Sequence, residues 1–223
     1  MIKIIGMAAL AAFSEALRKP GFRGMMRQRL LEKGWKQMEK YQREGEDDME
    51  SIREQLLRLG REQGFDHMAF LPVKELVFVE EYRKYCAENL CGNYDKLKNC
   101  PPQCGTAAQM RERAQRYDTA FIMQTICELD FSDEKAVKAM KARHNQMTRA
   151  VVKAMEERGV EGLTMSAGPT GESACMSAYC VDAAKMAESC GMAYWMGEKR
   201  AAFFSQFLFR EPSETGNRRG VQG

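Results

Sequence analysis

The sequence predicts an α/β fold, a layered sandwich in which helices flank a mostly parallel or mixed sheet that ends in a C-terminal hairpin. Three observations predict it. Helical apolar stripes alternate along the chain with short apolar runs, the pattern of layered α/β domains. The run Ala120-Phe121-Ile122-Met123 is continuous rather than alternating, as in a strand buried on both faces of a parallel sheet. Near the end, apolar residues 193–196 and 201–209 are separated by a turn-length segment, 197–200, which reads as a hairpin. With 223 residues, 44% hydrophobic and 29% charged, the chain has the composition of an ordinary globular protein and the length to bury a core.

Residues 1–48 stand apart by charge. They carry ten Lys/Arg against seven Asp/Glu, whereas residues 49–223 carry twenty-four of each. The main domain therefore lacks the basic footprint of a nucleic-acid binder. An apolar patch at 4–13 is too short to span a bilayer, and no signal-peptide cleavage site is correctly placed after it. This extension reads as an amphipathic arm, as a marginal helix without a role, or, the preferred reading, as an upstream-start artefact or dispensable segment. The domain proper is expected at 49–210, with a polar, disordered tail at 211–223.

From Met49 the pattern sharpens. Ile52, Leu56, Leu57 and Leu59 form a helical stripe that Gly60 or Gly64 ends. Residues 65–73 read as a buried strand stopped by Pro72, and 75–85 as a helix or helical turn. Thr106 is placed to cap a helix reaching Arg116, and a strand follows within 117–129. Ser132 is expected to cap the longest helix, to about Arg158, with the stripe Val137, Met140, Met147, Val151 and Met155 and a stop at Gly159. A strand at 163–167, a break at 168–171 and a helix at 177–189 complete the order before the final hairpin.

The chemistry is concentrated in one stretch. Four of the eight cysteines fall at Cys86-x4-Cys91-x8-Cys100-x3-Cys104, in a polar segment that Gly92, Asn93, Asn99, Pro101 and Pro102 turn into a loop. So many thiols in a chain without a secretory signal predict a metal nest rather than a disulfide framework. The x4 and x3 pairs lie at the wide edge of zinc spacings, and a cysteine followed by proline also ends some iron–sulfur motifs. Cys86, Cys91, Cys100 and Cys104 are thus the candidate ligands; neither signal alone picks the metal, and the overall reading favours an iron–sulfur cluster or else zinc. Cys127, Cys175, Cys180 and Cys190 read as free cysteines acting as small buried hydrophobes.

These residues also resemble a family. Cys86, Cys91-Gly92-x-Tyr94, Cys100-Pro101-Pro102 and Gly105, followed by Tyr117-Asp118…Gln124-Thr125, are similar to the prokaryotic "predicted metal-binding protein" family, a cysteine-rich domain of unknown function. The resemblance covers roughly residues 49–209 and implies a metal-binding role. Two departures stand out. The family usually has glycine where this chain has Asp95, and its position equivalent to Cys104 is not always cysteine. Its second cluster, Gly-x-Gly-x-Cys-x2-Cys-x2-Cys, is missing at residues 166–173, which reads as a deletion of about twenty residues that loop entropy tolerates. Cys175 and Cys180 stand where the family tends to have a small residue and a glycine.

Other candidates are weaker. His144, on the apolar side of the long helix, reads as a satisfied core histidine rather than a ligand or proton carrier. His67 beside Asp66 has no second motif near it. Gly168-x-x-Gly171-x-Ser173 lacks the lysine of a phosphate loop. No nucleophilic triad, dinucleotide fingerprint or telling carboxylate pair is present, so the lean is away from an enzyme. The leading expectation is a cytoplasmic metal-binding protein in electron transfer, or in accessory service to a redox or methyl-transfer partner protein. A metal-dependent redox enzyme and a non-catalytic interaction protein with a metal-braced loop remain as alternatives.

Overall fold

The computed structural model describes residues 50–212 apart from Glu172, and Lys36 besides. The expectations for the extension at 1–48 and for the tail beyond 212 fall outside the described residues. The chain divides into two units, Met1–Ser51 and Ile52–Gly223, and the fold belongs to the second. Its elements run α1 (Ile52–Gln63), β1 (His67–Pro72), two single 3-10 turns (Val73–Glu75 and Glu80–Tyr82), α2 (Arg83–Ala87) and α3 (Ala107–Ala114). They continue with β2 (Thr119–Glu128), α4 (Glu134–Glu156), β3 (Gly162–Ser166), β4 (Ala174–Cys175), α5 (Ala183–Ser189) and β5 (Arg200–Phe209).

The five strands form one mixed sheet in the order β1-β2-β5-β3-β4. The alternation of side chains along a strand divides the interior in two. Phe121 and Met123 of β2 and Phe207 and Phe209 of β5 face one way, onto Leu56 and Leu59 of α1 and Met147, Val151 and Met155 of α4. Ala120 and Ile122 of β2 and Phe204 and Leu208 of β5 face the other way, onto Met110 and Ala114 of α3 and Met186 and Ala187 of α5. Cys104 belongs to this second cluster, so the cysteine loop is part of the layer that covers the sheet. Helices on both faces of a mixed sheet give the α/β layered class.

Two details differ from expectation. β2 is buried on both faces, yet it pairs antiparallel with β1 and with β5, and among the described residues the only parallel pairing is the short one between β3 and β4. Two-sided burial comes from helical layers above and below, which an antiparallel strand can occupy as well. Nor is there a C-terminal hairpin: residues 193–196 form no strand, and β5 lies between β2 and β3. Local turn signals could not reveal that the apolar β5 satisfies its backbone against strands far back in the chain.

Helix ends follow their residues. Thr106 accepts from the Gln109 N–H while the Gln109 side chain accepts from the Thr106 N–H, a reciprocal cap for α3. Asp133, not Ser132, caps α4 by accepting from the Ala136 N–H. Ser132 instead donates to Asp130. Gly159, with φ +78°, turns the chain out of α4 into β3.

Candidate metal centre

The cysteine loop departs from α2, which delivers Cys86, and returns at α3. Between them the chain is held by its own turns. Asn89 Oδ1 accepts from the Tyr94 N–H at 3.0 Å, and the Cys104 N–H donates to the Cys100 carbonyl at 2.9 Å. The Pro101–Pro102 peptide is cis. Asp95 adopts φ +57°, the left-handed conformation that glycine reaches without cost, which accounts for glycine at this place in the resembling family. Its carboxylate accepts from Gln103 Nε2 at 2.7 Å and its N–H donates to the Pro101 carbonyl at 2.8 Å, bonds that offset the strain.

Of the four predicted ligands, Cys100 and Cys104 are buried, Cys86 is partly buried and Cys91 is exposed. All eight cysteines are free thiols. Burial pushes the Cys100 thiol up to about 11, and the neighbouring Cys175, Cys91 and Cys104 sulfurs push it the same way. The loop thus brings Cys91, Cys100 and Cys104 into one electrostatic neighbourhood. Cys86 points elsewhere. The neighbouring Cys175 thiol, followed by burial, raises its pKa. Cys175 is drawn down to about 6, first by the neighbouring Cys86 thiol and also by the N–H groups of Ala178 and Ser177. Among the described residues no three His, Cys, Asp or Glu side chains already surround a point that could hold an ion.

Cys104 has a different companion. Arg83, one turn before Cys86 on α2, donates from Nη1 to Cys104 Sγ at 3.6 Å and to the Gly105 carbonyl at 3.2 Å. Cys180 is an electrostatic neighbour of the same guanidinium. Arg83 Nε and Nη2 are buried without a hydrogen-bond partner. Cys180 itself holds φ +59°, which explains why the resembling family tends to have glycine there.

The remaining candidates are accounted for structurally. His144 is fully buried on the opposite side of the sheet, its Nδ1 2.7 Å from Thr125 Oγ1 and its Nε2 3.0 Å from Ser205 Oγ. Burial lowers its pKa to about 4. It is a satisfied core histidine. Asp66 does not pair with His67 but accepts from the Ile126 N–H at 2.7 Å. Cys127 Sγ meets the Ala201 carbonyl at 3.9 Å, away from the loop. The signal that sequence reasoning missed is Cys175, which no local spacing ties to Cys86.

Soft thiol donors gathered in and against one loop suit a metal that prefers sulfur. Residues 69–171 match the family described as "predicted metal-binding protein (DUF2284)". The family resemblance read from the sequence is borne out over that span, which contains the whole cysteine loop and ends before Cys175. No curated protein and no solved structure matches the chain. Among the described residues no helix is long and apolar enough to cross a membrane.

Proposed function

We propose that this protein holds one cysteine-ligated metal centre at residues 86–104, an iron–sulfur cluster ahead of zinc. Its ligands are drawn from Cys86, Cys91, Cys100 and Cys104. The observation that carries this reading is the presence of four free thiols in a single loop within the span matching a metal-binding family. Arg83 supports it, because a metal bound by several thiolates carries net negative charge and a guanidinium with two unpartnered nitrogens beside it would balance that charge. An iron–sulfur cluster bound there would supply one-electron exchange. The role is electron transfer, or accessory service to a redox or methyl-transfer partner protein, in the reducing environment of the cytoplasm where eight free thiols persist. Tyr85, Leu90 and Leu97 are large apolar side chains exposed on and beside the loop, where a partner approaching the centre would meet them.

A second reading, a metal-dependent redox enzyme, is favoured by one feature. A cavity of about 340 Å³ adjoins the loop, lined among others by Lys98, Asn99, Cys104, Arg113 and Tyr179. Lys98 and Arg113 with Glu156 give its wall charges of both signs, which suit a small polar substrate.

The test is substitution at the ligands in protein prepared without oxygen. Serine is a poor donor to soft metals, so Cys86→Ser, Cys91→Ser and Cys100→Ser are each expected to lose stoichiometric metal and any visible absorption. Retention of full metal content by all three would sink the assignment.

A further inference from the structure

We propose that Cys175, outside the loop and outside the family match, is a ligand of the same metal, so that the donor set is Cys86, Cys91, Cys100 and Cys175. Cys104 is then not a ligand but, with Cys180, a partner of Arg83 at the edge of the centre. This deepens the reading above and rests on it.

Two straps hold the segment around Cys175 against the segments that carry Cys86 and Cys100. The first joins the segment leading into α2 to the segment following Cys175. The Val79 N–H donates to the Cys180 carbonyl and the Asp182 N–H to the Val77 carbonyl, both at 2.8 Å, and Tyr82 Oη donates to Asp182 Oδ2 at 3.3 Å. The second joins the cysteine loop to the turn preceding β4. Asn99 Nδ2 donates to the Ser173 carbonyl at 2.6 Å and to the Gly171 carbonyl at 3.2 Å. Asn99 is buried and immediately precedes Cys100, so its fork fixes where Cys100 sits against the approach to Cys175. β4 is only Ala174–Cys175, paired with Met165 and Ser166 of β3, and it holds Cys175 at the edge of the sheet.

As a result, Cys175 is the electrostatic neighbour of both Cys86 and Cys100. Cys86 faces Cys175 across 89 positions of sequence, whereas Cys104 sulfur faces Arg83. A guanidinium hydrogen-bonded to a sulfur competes with a cation for it. When a divalent ion binds, each coordinating thiol releases its proton to solvent and its sulfur forms a metal–sulfur bond. No electron is transferred in that step.

The test uses the full chain under argon, stripped with a chelator and reloaded in two arms, zinc(II) alone or iron(II) with sulfide. Pulsed alkylation followed by mass spectrometry reports each thiol. Metal in at least one arm is expected to slow modification of Cys175 together with Cys86, Cys91 and Cys100, by about tenfold or more. This readout needs no substitution, so it does not depend on a variant folding. Cys175→Ser is expected to weaken metal binding by about 100-fold and Cys104→Ser by less than about threefold. Protection of Cys86, Cys91, Cys100 and Cys104 with Cys175 left as reactive as in the stripped chain overturns the Cys175 assignment and leaves the loop centre standing. Protection of no cysteine in either arm overturns both.

Discussion

His144 shows how much a single buried side chain is worth to this fold. Its ring is enclosed by Phe65 at 5.4 Å and Phe203 at 6.3 Å between centroids, and both nitrogens are used by hydroxyls. Charging it would require proton donors on both nitrogens in a site with no anion to receive them. In the unfolded chain it titrates near its ordinary value of 6.5, and in the folded protein burial lowers that to about 4. A depressed histidine leaves stability intact above 6.5 and removes it as pH falls from 6.5 toward 4, because the unfolded state then binds the extra proton. The loss is on the order of 3 kcal/mol, a large share of a domain's net stability. Chemical denaturation from pH 7 to pH 4 is expected to show this slope, and His144→Gln to flatten it. An unchanged slope in the variant would assign the acid sensitivity elsewhere. The sequence marked His144 as a core residue because it falls on the apolar side of a long helical stripe. Cys175 carried no comparable mark, since its partner is brought near by the β3–β4 pairing and by two straps of long sequence separation.

The elements divide into those that local signals specify and those that only the assembled sheet explains. α1 and α4 were legible as helical apolar stripes, β2 by the continuous run Ala120 to Met123, and the cap of α3 at Thr106. The region expected as a helix or helical turn at 75–85 is broken into two 3-10 turns and a short α2, because residues 77–79 extend to pair with residues 180–182. The expected helix at 177–189 starts later, at Ala183, where Asp182 caps it by accepting from the Lys185 N–H. With a metal bound as proposed, the cysteine loop would depend most on its ligand. A structural thiolate site contributes about 10–16 kcal/mol in small zinc domains, comparable with the whole net stability of a globular domain. The sheet here has two covered faces of its own, so removing metal should loosen the loop without melting the fold. Hydrogen exchange is expected to rise after chelation at residues 86–105 and 171–182 and to stay unchanged in β2 and β5. Uniform loss of protection across the sheet would show instead that the metal holds the entire domain.

At the scale of the molecule, the fold unit starts at Ile52 and the family match lies wholly inside it. A chain starting at Met49 is therefore expected to melt within about 2–4 °C of the full chain. A larger fall would show that residues 1–48 contribute to the domain. The same unit gathers six of the eight cysteines, Cys86, Cys91, Cys100, Cys104, Cys175 and Cys180, around one end of α2 and one sheet edge, while Cys127 lies apart with its sulfur on a backbone carbonyl. Six thiols are too few for two four-thiolate clusters; the Cys104 sulfur meets Arg83 and the Cys180 sulfur meets the Glu80 carbonyl. The most direct measurement is metal and acid-labile sulfide per polypeptide in protein prepared without oxygen. One centre per chain is the predicted result. Metal-free protein that stays metal-free after reconstitution, or a content equal to two clusters, would contradict it.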